Sequence, residues 1–278
     1  MLPFLRRKEP VTSSPPALIV VVQRAGTAGK STATALFQAS IELSGLPSRI
    51  VEFDDQRRHG NRLPGLVTSV TLPPTTKLQG NEEADMEVLN EAYAATRASF
   101  SRRETVIWDT GANLDDRAVT FFAGVDVASE VPDGMPIVVV IMVRCDTEMI
   151  RLAKVTEEAF RRVIPDATIA IGLNDVEHLW SNLRKDDPIA KMAEEVLGPI
   201  IKRGGSIVIR AMPPRLATAL RESHVPWTDL ATMDTDVAME HWGVGYTVAK
   251  SRQGELSLTL EQTRQEVVRQ LGFPESEV

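Results

Sequence analysis

Residues 17–32 read Ala-Leu-Ile-Val-Val-Val-Gln-Arg-Ala-Gly-Thr-Ala-Gly-Lys-Ser-Thr, an apolar run followed by a loop of small residues. The run over 17–23 predicts a buried strand, and the small and apolar residues after 32 predict a helix. In that setting the loop lets backbone N–H groups approach phosphate oxygens, and the N-terminus of the helix adds its positive dipole. The loop departs from the usual phosphate-binding pattern at Arg24, where the first glycine is expected.

The end of this loop carries the residues that would contact phosphate and magnesium. We expect the Lys30 ammonium to reach the outer phosphates and the Ser31 hydroxyl to bind Mg²⁺. This interpretation requires the Lys30 ammonium to be accessible from solvent. A Gly-Lys-Ser triplet is common by chance, so the prediction depends on the flanking strand and helix. The residues predicted to bind the ligand are Gly26, Thr27, Ala28, Gly29, Lys30, Ser31 and Thr32.

Strands and helices alternate along the rest of the chain. Further β-rich runs cover 49–54, 105–109, 137–143, 167–173 and 206–210. The clearest helical patterns cover 82–100 and 148–163, and Asp146 is expected to cap the second of these helices. This alternation predicts an α/β fold with a mostly parallel β-sheet flanked by helices on both faces. Such sheets bind ligands at the carboxyl ends of their strands.

Two of these strand ends carry carboxylates. Asp54 and Asp55 follow the second strand, and Asp109 ends the apolar run Val-Ile-Trp-Asp over 106–109. An acidic side chain at this edge is suited to bind magnesium or to orient an attacking water. We therefore expect Ser31, Asp54 and Asp109 to form the metal site. The alternative is that these carboxylates only begin solvated loops or turns.

Together, the three segments resemble the deviant Walker A ATPases of the ParA and MinD type. The family's loop, second motif and third motif are matched by Gly26, Gly29, Lys30, Ser31 and Thr32, by Glu52, Asp54 and Gln56, and by Asp109. The resemblance covers about 17–220 and implies a P-loop NTPase-like fold with ATP and Mg²⁺ as cofactors. It implies that Lys30 and Asp54 are catalytic, with Asp54 positioning the hydrolytic water. It also implies contacts with adenine from Asn174 and from Met212-Pro213, each of which follows a strand.

The base preference follows from a missing motif. No Asn-Lys-x-Asp sequence occurs, and 174–177 lack the lysine that this motif requires. ATP is therefore favoured over GTP.

The chain departs from this family at the signature lysine, which contacts the nucleotide of the partner subunit and falls on Ala25 here. Our hypothesis is that the neighbouring Arg24 supplies the charge, although a guanidinium differs from an ammonium in reach and geometry. The second motif also has Asp55 in place of proline, followed by a basic insertion at 57–59. We expect these differences to alter the switch region and to slow hydrolysis.

Length and composition indicate an ordinary globular chain. The 278 residues are 43% hydrophobic and 25% charged, which excludes a mainly disordered, collagen-like or disulfide-stapled protein. We expect a flexible N-terminal segment over 1–16, a P-loop ATPase-like domain over 17–250, and a C-terminal helix and tail over 251–278. The single cysteine, Cys145, and the lack of an export signal or a long apolar stretch predict a soluble, cytoplasmic protein.

The charge and the apolar pattern of the chain indicate which partners it could bind. The net charge of −7 opposes binding to DNA or anionic membranes, so any such contact would have to be local. Basic clusters at 6–8, 57–58, 102–103 and 161–162 leave a DNA-facing patch open, although solvated helix ends explain them more simply. The apolar stripe over 259–271 predicts packing on the domain or on a partner subunit rather than on a membrane. The four histidines share no ligand spacing and are interpreted as surface or core-rim residues.

Three functions fit these observations. By resemblance, the chain would be a Mg-ATP-dependent molecular switch, a slow ATPase that forms a homodimer and is stimulated by a protein partner. Its role would be DNA or plasmid partitioning, positioning, or conjugative transfer. The second function is a nucleotide-binding assembly module with little hydrolysis, which Ala25 would permit. The third is a phosphate-transferring or ligating enzyme on the same fold, similar to the dethiobiotin synthetases.

Overall fold

A computed structural model of the chain shows a parallel α/β architecture. It describes residues 3–5, 10–53, 58–72, 82–111, 114–175 and 177–274, with the side chains at 3, 58 and 82–86 left out. The described strands form a seven-stranded sheet in which every pairing is parallel. They are β1 (Leu18–Val22), β2 (Ser48–Glu52), β3 (Val67–Ser69), β4 (Thr105–Asp109), β5 (Ile137–Val143), β6 (Thr168–Asn174) and β7 (Ser206–Ile209).

The strand order is β3-β2-β4-β1-β5-β6-β7, which confirms the predicted fold class. β1, β4 and β5 are buried along their whole length, as strands covered on both faces must be. The order reverses at β1, where Val21 is in register with Asp109 of β4 on one side and Val140 of β5 on the other. Open parallel sheets bind ligands at such a switch point, so Asp109 and the loop after β1 meet at the expected edge.

Helices cover both faces of this sheet. They are α1 (Lys30–Leu43), α2 (Arg58–Arg62), α3 (Glu82–Phe100), α4 (Asp115–Gly124), α5 (Val127–Glu130), α6 (Thr147–Val163), α7 (Leu179–Asn182), α8 (Pro188–Gly204), α9 (Pro214–Glu222), α10 (Trp227–Thr232), α11 (Thr235–Trp242) and α12 (Tyr246–Leu271), and a 3-10 turn spans Pro3–Leu5. One layer consists of α3, α4, α6 and α8, each of which contacts the next. In the other layer, α1 packs against α10 and α12.

An aromatic cluster fixes β4 beneath α3 and α4. The ring of Trp108 lies 5.1 Å from that of Phe53 and 5.0 Å from that of Phe122, measured between centroids. Its indole Nε1 donates a hydrogen bond to the Thr96 hydroxyl at 2.8 Å, which satisfies the polar atom of a fully buried ring. This packing holds the strand that ends in Asp109.

The observed elements differ from the predicted ones mainly at their ends. Asp146 caps α6 as predicted, since its carboxylate accepts the N–H groups of Glu148 and Met149 at 3.0 Å. β3 carries no pattern that would predict it, because it has only three half-buried residues at the sheet edge. The C-terminal helix begins already at Tyr246, well before the apolar stripe.

The predicted stripe of the C-terminal helix is packed on the domain. Its residues, Leu260, Val267, Val268 and Leu271, are all buried, and α12 lies against α1. This confirms the predicted packing. Within the described ranges, no helix has both the length and the apolar character needed to cross a membrane.

The described residues of the N-terminal segment contact β7 and the end of α12. Leu5 is fully buried, and its carbonyl accepts a hydrogen bond from the Ser206 hydroxyl at 2.7 Å. The N–H groups of Val11 and Thr12 donate to the carbonyl of Gln270 at 2.7 and 3.0 Å. These contacts hold the described residues of 1–16 against β7 and the end of α12.

Candidate functional site

A cavity of about 580 Å³ opens at the carboxyl edge of the sheet, beside β1, β4 and β6. We call it the P-loop cavity, and its volume is in the range of small-molecule sites. Its walls come from the loop after β1, the end of β4, the end of β6 and helices α7, α9 and α10. All seven predicted loop residues line it, as do Asp109 and Asn174. The fold thus brings together residues that are far apart in sequence.

The loop after β1 leads directly into the N-terminus of α1. Gly29 precedes the helix with φ of +88°, a conformation that a residue with a Cβ rarely adopts. The N-cap residue Gly29 has no side chain to cap α1, so the first N–H groups of the helix have no helical partner and no N-cap partner. These groups and the helix dipole are suited to bind an anion such as phosphate. Thr27 also has a positive φ, +58°, which is strained for a β-branched residue.

Asn174 supports this loop from the end of β6. Its Nδ2 donates a hydrogen bond to the carbonyl of Ala28 at 2.9 Å. A Cβ added at Gly29 would lie 2.3 Å from the same Nδ2, so the two segments are in close contact. Met212 lines the P-loop cavity, whereas Pro213, the other predicted contact with adenine, is the N-cap residue of α9. The roles of Asn174 and Pro213 in base binding stay predictions.

Lys30 is held by its own loop. Its ammonium donates hydrogen bonds to the carbonyls of Gln23 at 2.8 Å and Ala25 at 3.4 Å. Lys30 is only 8% exposed, more buried than the sequence analysis expects, but it lines the P-loop cavity. Burial lowers the pKa of Lys30, and the carboxylates of Asp115 and Asp109 partly oppose that shift. The cation is therefore poorly solvated, which strengthens its attraction to an entering phosphate.

Asp109 ends β4 and is 2% exposed at the wall of the cavity. Its Oδ2 lies 3.0 Å from Nε2 of His59, the second residue of α2. Its Oδ1 is buried and has no hydrogen-bond partner among the described residues. An unpaired carboxylate oxygen in a residue that lines a cavity is suited to bind a cation, directly or through water.

These residues fit a magnesium ion that is bound mainly by phosphate and water. Ser31 lines the same cavity as the Asp109 carboxylate, and both supply the oxygen ligands that Mg²⁺ prefers. Among the described residues, no group of three or more His, Cys, Asp or Glu side chains could hold a metal by itself. Bound magnesium would supply charge neutralisation and orientation of the outer phosphates. Ser31 and Asp109 are the residues that would hold it.

The second predicted motif is only partly described. Asp54, the predicted catalytic and metal-binding residue, lies outside the described residues, as do Asp55, Gln56 and Arg57. Glu52, in contrast, is fully buried at the end of β2. Its carboxylate accepts hydrogen bonds from the N–H groups of His59 at 2.7 Å and Gly60 at 3.0 Å. Glu52 therefore anchors α2 to the sheet.

Arg24, the hypothetical replacement for the signature lysine, forms an ion pair with Asp116 of α4 in the same chain. The Asp116 side chain is 72% exposed. Exposed ion pairs contribute about 0–1 kcal/mol, so exchange for another anion has a low cost.

Two buried residues that the sequence does not predict interact with Asp109 and Lys30. The interpretation of His59 as a surface or core-rim residue is wrong, because it is 1% exposed and pairs with Asp109. Asp115, the first residue of α4, is also 1% exposed, and burial raises its pKa while the Lys30 ammonium opposes that shift. The sequence features that mark these two residues are the basic insertion at 57–59 and the acidic pair at 115–116. Neither feature has the residue spacing of a known binding motif.

The solved structures that are similar to this chain include two MinD structures from Aquifex aeolicus. The MinD cell division protein is similar with a TM-score of 0.43 and 14% identity, over 85% of this chain and 96% of that chain. The MinC:MinD cell division protein complex gives a TM-score of 0.41 and 14% identity over the same shares. No family model and no curated protein matches the chain. The function proposed below therefore rests on the residues of this chain.

Proposed function

We propose that the chain is a Mg-ATP-dependent molecular switch of the ParA/MinD type, a slow ATPase whose dimerisation depends on the bound nucleotide. The observation that carries the proposal is the convergence of the α1 N-terminus, Lys30 and Asp109 on one cavity. A triphosphate needs such amides and a cation, and its magnesium needs a nearby carboxylate. Ala25 and the basic insertion at 57–59 are consistent with slow hydrolysis.

The charge of the cavity supports an anionic ligand. Among the residues that the structure describes, four basic side chains, Lys30, Arg144, Arg210 and Arg221, line it, against two acidic ones, Asp109 and Glu177. This excess contrasts with the net charge of −7 for the whole chain. Because field lines concentrate in a cleft, the local excess outweighs the distant negative charge for a ligand inside it.

A role in DNA or plasmid partitioning, positioning or conjugative transfer is part of this proposal, through a change of affinity for a protein partner. Direct DNA binding has less support from the described basic clusters. Arg102 pairs with Glu104 at 2.8 Å, and Arg161 pairs with Glu157 at 2.7 Å. These are local ion pairs near helix ends, as the sequence analysis suggests. The cluster at 6–8 and Arg57 lie outside the described residues.

A second candidate is an assembly module that binds nucleotide and hydrolyses little of it. Two observations favour it: Ala25 replaces the signature lysine, and Arg24 is already paired with Asp116 of its own chain. In this case ATP would stabilise one conformation for partner binding without rapid turnover. Measured hydrolysis separates the two functions.

The switch is tested first by the mass of the protein in solution. We expect ATP with Mg²⁺ to double the molar mass measured by light scattering, whereas ADP with Mg²⁺ leaves it unchanged. EDTA should abolish the effect of ATP, because the outer phosphates then lose their bound cation. A mass that is the same with ATP, ADP and no nucleotide would contradict the nucleotide-dependent dimer. ADP release that requires a small-molecule co-substrate would instead indicate the phosphate-transferring enzyme.

Asp54→Ala separates binding from hydrolysis. If Asp54 positions the attacking water, hydrolysis should fall about a hundredfold or more, while the ATP affinity changes less than about threefold. The variant should then stay dimeric after ATP addition for longer than the wild type. Asp55→Ala is the matched control, because it removes the neighbouring carboxylate. Equal loss of ATP affinity and hydrolysis in Asp54→Ala would refute the assigned role.

A further inference from the structure

Helix α2 lies beside the P-loop cavity and is held at its beginning by the end of β2. The Glu52 carboxylate accepts the N–H groups of His59 and Gly60, and the Ser69 hydroxyl of β3 donates to it at 3.2 Å. The first N–H groups of a helix have no helical partner, so an acceptor there fixes the helix in place. The start of α2 is thus tied to two strands.

The other end of α2 is held by the end of α9. The Arg62 guanidinium donates to the carbonyls of Leu220 at 3.1 Å and Ser223 at 3.4 Å. It also lies 5.1 Å from the ring centroid of Trp227, a cation–π contact. Leu220 and Trp227 both line the P-loop cavity. Anchored at both ends, α2 holds His59 in a fixed position.

His59 projects from this anchored helix onto Asp109. The two side chains are 1% and 3% exposed, and Nε2 of His59 is 3.0 Å from Oδ2 of Asp109. With an ionised Asp109, which can only accept, the donor in this contact is the Nε2–H of His59. The ring thus engages one oxygen of Asp109 and leaves the buried Oδ1 without a partner among the described residues.

We propose that His59 is a positioning residue for magnesium, which holds Asp109 by Oδ2 so that Oδ1 is presented to the hydrated ion. This inference rests on the proposed function, because it requires a magnesium–nucleotide complex in the P-loop cavity. Groups that hydrogen-bond a metal-binding carboxylate fix its orientation, and their loss typically lowers metal affinity about 10- to 100-fold. The opposite arrangement, in which His59 competes with magnesium for Asp109, makes a prediction of opposite sign.

The test compares the full-length wild type with His59→Leu and His59→Gln. Leucine fills most of the space of the ring without a donor, whereas the glutamine amide keeps an N–H group near the position of Nε2. Calorimetry gives the ATP affinity with Mg²⁺ and with EDTA, and the ratio of the two affinities is the readout. We expect His59→Leu to lower this ratio about tenfold or more and to leave the affinity in EDTA within about twofold.

Two further variants make this readout specific. His59→Gln should recover most of the ratio, because it restores the donor to Asp109. His224→Leu is the matched control, since His224 is exposed and does not line the P-loop cavity. It should leave the ratio unchanged. A purely structural role of His59 would instead lower both affinities together.

Several results would overturn the inference. One is a ratio of the ATP affinities with Mg²⁺ and with EDTA that is unchanged or increased in His59→Leu. Another is a ratio that falls equally in His59→Leu and in His59→Gln. If the wild type binds no ATP under either condition, the proposed function fails as well. Should His59→Leu not fold, ¹⁵N-histidine NMR of the wild type replaces it. The His59 Nε2–H resonance should then shift with Mg-ATP but not with ATP in EDTA, and an unshifted resonance would refute the role.

Discussion

Lys30→Met is expected to reduce the affinity for ATP at least about a hundredfold, to the point where calorimetry detects no binding. Methionine keeps an unbranched apolar stem in the buried position and removes the ammonium, with its charge and its hydrogen bonds to the carbonyls of Gln23 and Ala25. Each hydrogen bond to a charged group contributes about 1.5–3 kcal/mol, and two contacts with the outer phosphates reach the 2.7 kcal/mol of a hundredfold change. The low exposure of Lys30 keeps water from screening these contacts.

The pH dependence of ATP binding provides an independent check. Burial lowers the pKa of Lys30 below the usual lysine value, so the cation loses its proton at a lower pH than an exposed lysine does. The ATP affinity of the wild type should therefore fall as the pH rises through that lowered pKa. Lys30→Met should show no such fall. Lys191→Met, at an exposed position on α8, is the control for loss of a positive charge. Wild-type affinity in a correctly folded Lys30→Met would refute the site.

The parts of the fold that could be predicted are those with a strong local pattern. β5 is a continuous apolar run, and such a run can only be a strand buried on both faces in this context. The loop at 23–32 could be predicted to connect a strand to a helix, because the strand, the glycines and the helix are adjacent in sequence. Asp109 was placed correctly at the cavity because parallel strands align their carboxyl ends at one edge.

The parts that could not be predicted depend on contacts between distant segments. His59 and Asp109 are 50 residues apart, and nothing in the local sequence relates them. Whether a histidine is exposed or buried depends on where α2 is anchored, and that is decided by Glu52 and Arg62. The start of α12 was missed for a related reason, because its first half carries few apolar residues that would mark a helical face.

Gly204→Ala is expected to lower the free energy of unfolding by about 3 kcal/mol or more, the largest effect on stability that we predict for a single methyl group. Gly204 ends α8, where the helix touches β6. A Cβ at this position would lie 1.7 Å from the carbonyl oxygen of Ile169 and 2.6 Å from its carbonyl carbon. These are backbone atoms of a central strand, since Ile169 pairs with Val139 of β5, and they cannot move aside as a side chain could.

Gly198→Ala, in the same helix, is the matched control. A Cβ there meets no atom within 4 Å, so the higher helix propensity of alanine should raise stability by about 0.5–1 kcal/mol. Urea unfolding followed by circular dichroism measures both changes, and equal stabilities for the two variants would refute the close contact. Because β6 ends in Asn174, which supports the loop at Ala28, a displaced β6 should also weaken ATP binding in Gly204→Ala. Gly198→Ala should bind ATP like the wild type, and this difference would link the helix–strand contact to the geometry of the loop at 23–32.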